Sequence, residues 1–327
     1  MKNAAKEFLL SILLGIFLPA AALSIAVKAL PESAPDPLPA SDPAETSSEP
    51  AAAAPDETIA VLLADGTVQA MEISDYLTGV LLSEVPASFE PEALKAQAVV
   101  SRTYALRKTR RSSRHAQGAV CTDPACCQGY LSPDGDGDVT APASDIAKLR
   151  QAVDDTAGQV LTYNGELIEA TFFSCSGGKT EDAVAVWGND VPYLQSVSSP
   201  GEEIAAHFRD TVTFTPDEFA RLLGIDPDGS PENWFGPILR TEGDGIDSAE
   251  IGGICFSGTE LRTRLGLRST DITFEPAVDS ITVTTYGYGH RVGMSQYGAQ
   301  AMALSGADYT DILSHYYVGA VLEAEKS

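Results

Sequence analysis

Twenty uncharged residues in a row, Phe8 to Val27, follow Lys2 and Lys6 and limit every other choice this chain can make. As a helix the run is long enough to cross a hydrocarbon core of about 30 Å. Ala20–Ala22 has the small side chains of a cleavage site, but the run is longer than the apolar core of a secretory leader. The expectation is an uncleaved anchor. Residues 1–28 would be a cytoplasmic stub and one transmembrane helix, with all that follows on the outer face of the cell membrane. Residues 29–57 then form a linker. Pro31 to Pro55 carries seven prolines among Ala, Ser, Asp and Glu, with Leu38 its one large apolar residue. Such a segment cannot bury a core and is expected to be an extended, disordered acidic tether. From Thr58 the composition turns globular, and residues 58–327 suffice for one large domain or two lobes.

Net charge is −25, which argues against a nucleic-acid partner. The basic residues are unevenly spread. No acidic residue lies between Glu92 and Asp123, a span holding Lys95, Arg102, Arg107, Lys108, Arg110, Arg111 and Arg114. A solvated helix face accounts for most of such a strip. A positive strip on an acidic protein also fits a site for a polar or anionic substrate.

That strip follows two helical stretches. In the first, Tyr76, Leu77, Val80 and Leu81 recur at helical spacing after Ser74, a residue suited to an N-cap, and Pro86 limits the end. Glu84 falls on the apolar stripe in the last turn, where apolar neighbours and the helix dipole both disfavour its charged form. A carboxyl that keeps its proton near neutral pH can protonate a leaving group. Position alone favours a solvent-facing glutamate, and it is the sequence around Glu84 that lifts it above that reading. The second stretch, Pro91 to Lys108, opens with Pro and Glu92 and is rich in helix formers. Arg102 emerges from its apolar stripe and needs a partner or a substrate oxygen. A short connection makes the pair an αα-hairpin in which Arg102 and Glu84 can share a cleft.

Downstream, His115, Cys121, Cys126 and Cys127 supply the donors of a Cys3His zinc site within thirteen residues. Disulfides or free thiols are the alternatives outside the cytoplasm, and both vicinal cysteines can ligate only through a strained turn. Cys175 and Cys255 stand alone and are expected to be buried thiols. Strand-like runs dominate after Ala157, at Gln159–Tyr163, Leu167–Phe173, Tyr193–Val197, Thr211–Phe214 and Ser280–Tyr286. Helical segments are expected near Pro216–Leu223, Gly258–Leu265 and Ser295–Ser305. Early helices and later strands point to an α+β fold with a substrate groove between the two portions. Ser176-Gly-Gly-Lys179 spells a Ser-x-x-Lys pair, but Gly-Gly is a poor helix start. Asp134 to Asp138 lacks the glycine and glutamate of a calcium loop.

Four ordered blocks resemble the stage II sporulation protein D (SpoIID) family. They are Tyr76 to Pro86, Glu92 to Ala98 with Ser101-Arg-Thr-Tyr104, Thr171 to Glu181 with Trp187 and Val191-Pro-Tyr-Leu194, and Gly289 to Ala299. One departure is Arg291, where the family usually has Gly. The resemblance implies a catalytic domain over 58–327 with an inserted Cys/His loop at about 112–130. It implies a peptidoglycan lytic transglycosylase, cutting the β-1,4 bond from N-acetylmuramic acid to N-acetylglucosamine and leaving 1,6-anhydro ends. By motif position Glu84 would be the single acid and base, and Arg102 a substrate-binding residue. Lys179, His290 and Gln296 are further substrate-binding candidates from the last two blocks. Some relatives bind structural zinc through His and Cys at this insertion; Cys126 stands where they carry what looks like a His ligand. The family also implies work during engulfment beside a SpoIIP-like amidase and a SpoIIM-like membrane scaffold. Two rivals remain: a non-catalytic glycan-binding module that stimulates a cell-wall amidase, and a zinc hydrolase, against which speaks the absence of a His-Glu-x-x-His pattern.

Overall fold

The structure is a computed structural model describing residues 58–112, 114–135 and 141–325. The anchor and tether assigned to residues 1–57 lie outside it, as do residues 136–138 of the Asp134–Asp138 loop. No helix among the described residues is long and apolar enough to cross a membrane.

A hairpin opens the fold, β1 (Thr58–Leu62) against β2 (Val68–Glu72). It runs without a loop into α1 (Ile73–Glu84), so the N-cap falls on Glu72 rather than Ser74, and no side chain caps it. Val85 is extended and Pro86 follows, ending the helix where the sequence predicts. The second helix, α2 (Pro91–Arg107), has Pro in its first turn and is buried along Ala93–Leu106 except at Lys95. It is the axis of the first core. Around it pack α1, α3 (Ala143–Asp155) and β4 (Gln159–Tyr163), with Leu94, Val99, Leu149 and Leu161 sealed inside. The short β3 (Val120–Cys121) joins β1 in parallel, anchoring the cysteine loop to the hairpin.

The expected strand Leu167–Phe173 is broken in two. Its start belongs to β5 (Glu166–Leu167), paired with β4, while β6 (Phe172–Phe173) faces another strand. A tight bend, Thr171 N–H to Glu169 O at 2.9 Å, makes the switch. Tyr193–Val197 forms no strand; Tyr193 and Leu194 instead pack into the core beside α4 (Ala183–Trp187), whose Ala183 N–H donates to Leu194 O.

Residues 209–286 build a second core. The sheet β11–β12–β7 combines β7 (Arg209–Phe214), β11 (Asp271–Pro276) and β12 (Ile281–Tyr286). A second sheet orders β10 (Ile254–Ser257), β9 (Ile246–Ile251) and β8 (Phe235–Arg240). The helices α5 (Pro216–Leu223) and α6 (Gly258–Leu265) pack with them around Phe214, Phe219, Trp234 and Ile251. Each of these helices has its N-cap oxygen on an N3 amide and a left-handed glycine at its end, signals readable in sequence. The chain then returns to the first core. There β13 (Met294–Ser295) pairs with β6, α7 (Gln296–Leu304) and α8 (Tyr309–Tyr316) follow, and β14 (Val321–Ala324) closes on β4. The architecture is α+β, as expected.

Candidate active site

Glu84 is the last residue of α1 and is half-buried. Its Oε1 accepts the Gly129 N–H at 2.5 Å, and its Oε2 has no hydrogen bond among the described residues. Burial raises its pKa above the ordinary carboxylate value; the Gly129 donation opposes that and is the weaker of the two. The result is a carboxyl with one oxygen held and the other available.

Arg102 does not share this place. It is 2% exposed, and its terminal nitrogens donate to Thr156 O at 2.6 Å and Val153 O at 3.1 Å, closing the C-terminal end of α3. The guanidinium expected to meet substrate thus has its terminal nitrogens on carbonyls within the fold. Burial pulls its pKa down to about 10. Five of the strip's other six cations, all but Arg114, are also engaged. Arg107 and Lys108 grip Glu169 at 2.8 and 2.7 Å, Lys95 meets Glu92 and Asp155, Arg110 pairs with Glu325 and Arg111 with Glu166. The strip holds helix α2 to its neighbours.

The structure gathers His115, Cys121, Cys126 and Cys127 with their donor atoms all within 4.8 Å of one another. His115 Nε2 lies 3.4 Å from Cys126 Sγ and 3.6 Å from Cys127 Sγ. A tetrahedral zinc with bonds of about 2.3 Å to sulfur and 2.0 Å to nitrogen sets S···N edges of roughly 3.5 Å, so the donor set fits that ion. The vicinal pair needs no strained backbone. Asp123 O accepts both the Cys126 and Cys127 N–H groups, at 3.0 and 2.9 Å, and no left-handed residue occurs between Cys121 and Cys127.

Lys179, His290 and Gln296 each have partners within the fold. Lys179 Nζ donates to Glu242 O. The His290 ring sits between Phe173 and Trp187, takes the Val292 N–H on Nδ1 at 3.1 Å, and is pushed by burial to a pKa of about 4, so it is neutral. Gln296 Nε2 reaches Gln97 Oε1 at 3.4 Å. Arg291 explains its own departure from the family pattern. Its φ of +67° is the left-handed geometry that glycine takes freely. Its side chain, 0% exposed, donates to Ser176 O, Lys179 O, Gly243 O and Glu181 Oε1. Cys175 is buried as expected, but Cys255 is exposed on edge strand β10.

Two residues here escape sequence reasoning. Glu202 is fully buried and its Oε2 accepts Ser176 N–H and Oγ–H, both at 2.7 Å, and Gly177 N–H at 2.9 Å, fixing the Gly-Gly turn. It opens a single 3-10 turn without periodic pattern, so only the Pro200-Gly201 pair before it marks a turn. Gly129 follows the cysteine run by two residues and carries no motif at all.

A family model described as "Stage II sporulation protein" matches residues 64–163, which hold Glu84, Arg102 and the whole Cys/His cluster. Over 285 residues the chain is 39% identical to stage II sporulation protein D of Bacillus subtilis (strain 168), covering 85% of this chain and 82% of that protein. Over 261 residues it is 40% identical to stage II sporulation protein D of Bacillus amyloliquefaciens, covering 77% and 74%. An amidase enhancer of Bacillus subtilis (strain 168) is 31% identical over 305 residues, covering 75% of this chain and 40% of that protein. Similarity at this level, running through both helices and on into the strand-rich half, makes this chain a member of the stage II sporulation protein D family.

Proposed function

We propose that this protein is a peptidoglycan lytic transglycosylase of sporulation, cleaving the bond from N-acetylmuramic acid to N-acetylglucosamine in peptide-stripped glycan strands. The observation that carries the reading is Glu84: a carboxyl with a raised pKa, one oxygen bonded to a backbone N–H and the other open. Ordinary glycosidases need a second carboxylate to attack or to activate water. Here the sugar's own C6 hydroxyl closes on C1 as the glycosidic bond breaks. Glu84 gives its proton to the departing oxygen, and the resulting carboxylate takes the C6 hydroxyl proton, so the residue ends as it began. Replacing Glu84→Gln should leave a folded protein whose release of anhydro-muramic products falls at least 10²-fold, read by mass spectrometry of digested glycan. Undiminished product from that variant would sink the proposal.

Zinc belongs to this reading as a structural ion. His115 through Nε2 and the three thiolates would fill its first shell, leaving it no open position, so what it supplies is rigidity of the loop beside Glu84. The anchor over residues 1–28, the extracytoplasmic placement, and work in engulfment beside an amidase and a membrane scaffold complete the proposal. The amidase enhancer supports a second reading, a glycan-binding accessory that stimulates an amidase. Anhydro ends released by the purified protein alone would favour the enzyme; amidase stimulation without them would favour the accessory.

A further inference from the structure

We infer that the segment Cys127–Leu131 is a strap that aims Glu84, with Gly129 as the positioning residue and Gln128 as the one that holds Gly129 in register. The inference rests on the reading of Glu84 as acid and base. The strap lies directly on α1 because two glycines permit it. A Cβ on Gly79 would stand 2.3 Å from Tyr130 Cε2 and 2.7 Å from Leu131 O. A Cβ on Gly129 would stand 2.4 Å from Ser83 Oγ and 2.9 Å from Glu84 Oε1. With both absent, backbone meets helix: Leu131 N–H donates to Gly79 O at 3.1 Å and Gly129 N–H to Glu84. Tyr130 stacks on Tyr76, with centroids 6.0 Å apart and planes 7° from parallel.

Gln128 ties the strap to α2. It is 1% exposed, and Nε2 reaches Ser101 O at 3.3 Å and Tyr76 Oη at 3.4 Å. Ser101 Oγ in turn accepts from Gln97, which accepts from Gln296 on α7. Gln128 Oε1 has no partner among the described residues. A merely space-filling residue here would be better apolar, since an orphaned buried carbonyl is costly. A polar residue bonded on one side is what fixing the next amide requires. Among the described residues only burial and the Gly129 donation shift Glu84 and no charged side chain contributes, so the strap is its one directional contact there.

The full-length Gln128→Met protein tests this, the substitution keeping volume while removing both donors. Its kcat should fall about tenfold with KM unchanged, because a small displacement of an acid lowers the rate without loosening the sugar. Its alkaline limb should also move to higher pH, because a weakened Gly129 donation lets the Glu84 pKa rise further. Wild-type kcat together with an unmoved limb would overturn the strap. Should Gln128→Met not fold, the wild-type Gly129 amide proton decides. Its chemical shift should follow the titration of the Glu84 carboxyl carbon, and Glu84→Gln should abolish the inflection. A Gly129 amide indifferent to pH while Glu84 titrates would also overturn the strap. Wild-type anhydro release by Glu84→Gln would instead overturn the underlying reading.

Discussion

Glu84 and Arg102 sit on adjacent helices, both partly or wholly removed from water, and burial moves each toward its neutral form. What separates them is the partner. Glu84 meets one amide and keeps an oxygen open; Arg102 meets carbonyls at a helix end through its terminal nitrogens, while its buried Nε has no partner among the described residues. Arg102→Met should therefore act on stability first, lowering the unfolding free energy by about 2–4 kcal/mol, since buried carbonyls of α3 would lose charge-assisted donors. Urea unfolding at pH 7 measures it. The sequence requirement that Arg102 find a partner holds, but the partner lies some fifty residues downstream, in a helix whose end carries no local sign of needing one. Glu84 was legible because its position depends on near neighbours only: an apolar stripe behind it and Pro86 ahead.

Elements follow the same division. Helices α1, α2, α5 and α6 could be placed from periodicity, proline starts and glycine stops, all local signals. The two-residue strands β3, β5, β6 and β13 could not, because each exists only through its distant pairing partner. The cysteine loop lies between these cases. Its donor residues were plain, while the Asp123 turn that lets both vicinal thiols point inward was not. With zinc in the cluster, elemental analysis should find about one ion per chain, and Cys121→Ser should lose most of it. Limited proteolysis of that variant should then cut near residues 116–130 while the cores persist. Under a tenth of an equivalent in gently purified wild-type protein would remove the ion from the proposal.

At the scale of the molecule, the second core is inserted between β6 and β13, and Arg291 is one of the side chains that join the two parts. It and Glu181 are each 1% exposed at their side chains, 3.2 Å apart, with Asp271 Oδ2 at 3.9 Å. Asp271 is pushed by burial up to about 6 from 3.8, with Arg291 and Arg240 pulling it back. Its folded value is above its unfolded one, so the native state holds the proton more tightly. That penalises folding in full above about pH 6, and the penalty fades as pH falls toward 3.8. Wild type should therefore gain stability relative to Asp271→Asn between pH 6 and 4, a trend that denaturant titrations at both ends would show. The chain has two tryptophans: Trp234 lies 8% exposed in the second core, whereas Trp187 is 41% exposed beside His290. Fluorescence can therefore distinguish the two regions. Iodide should quench the outer indole and spare the inner one, and Trp187→Phe leaves an emission signal that reports melting of the inserted portion alone.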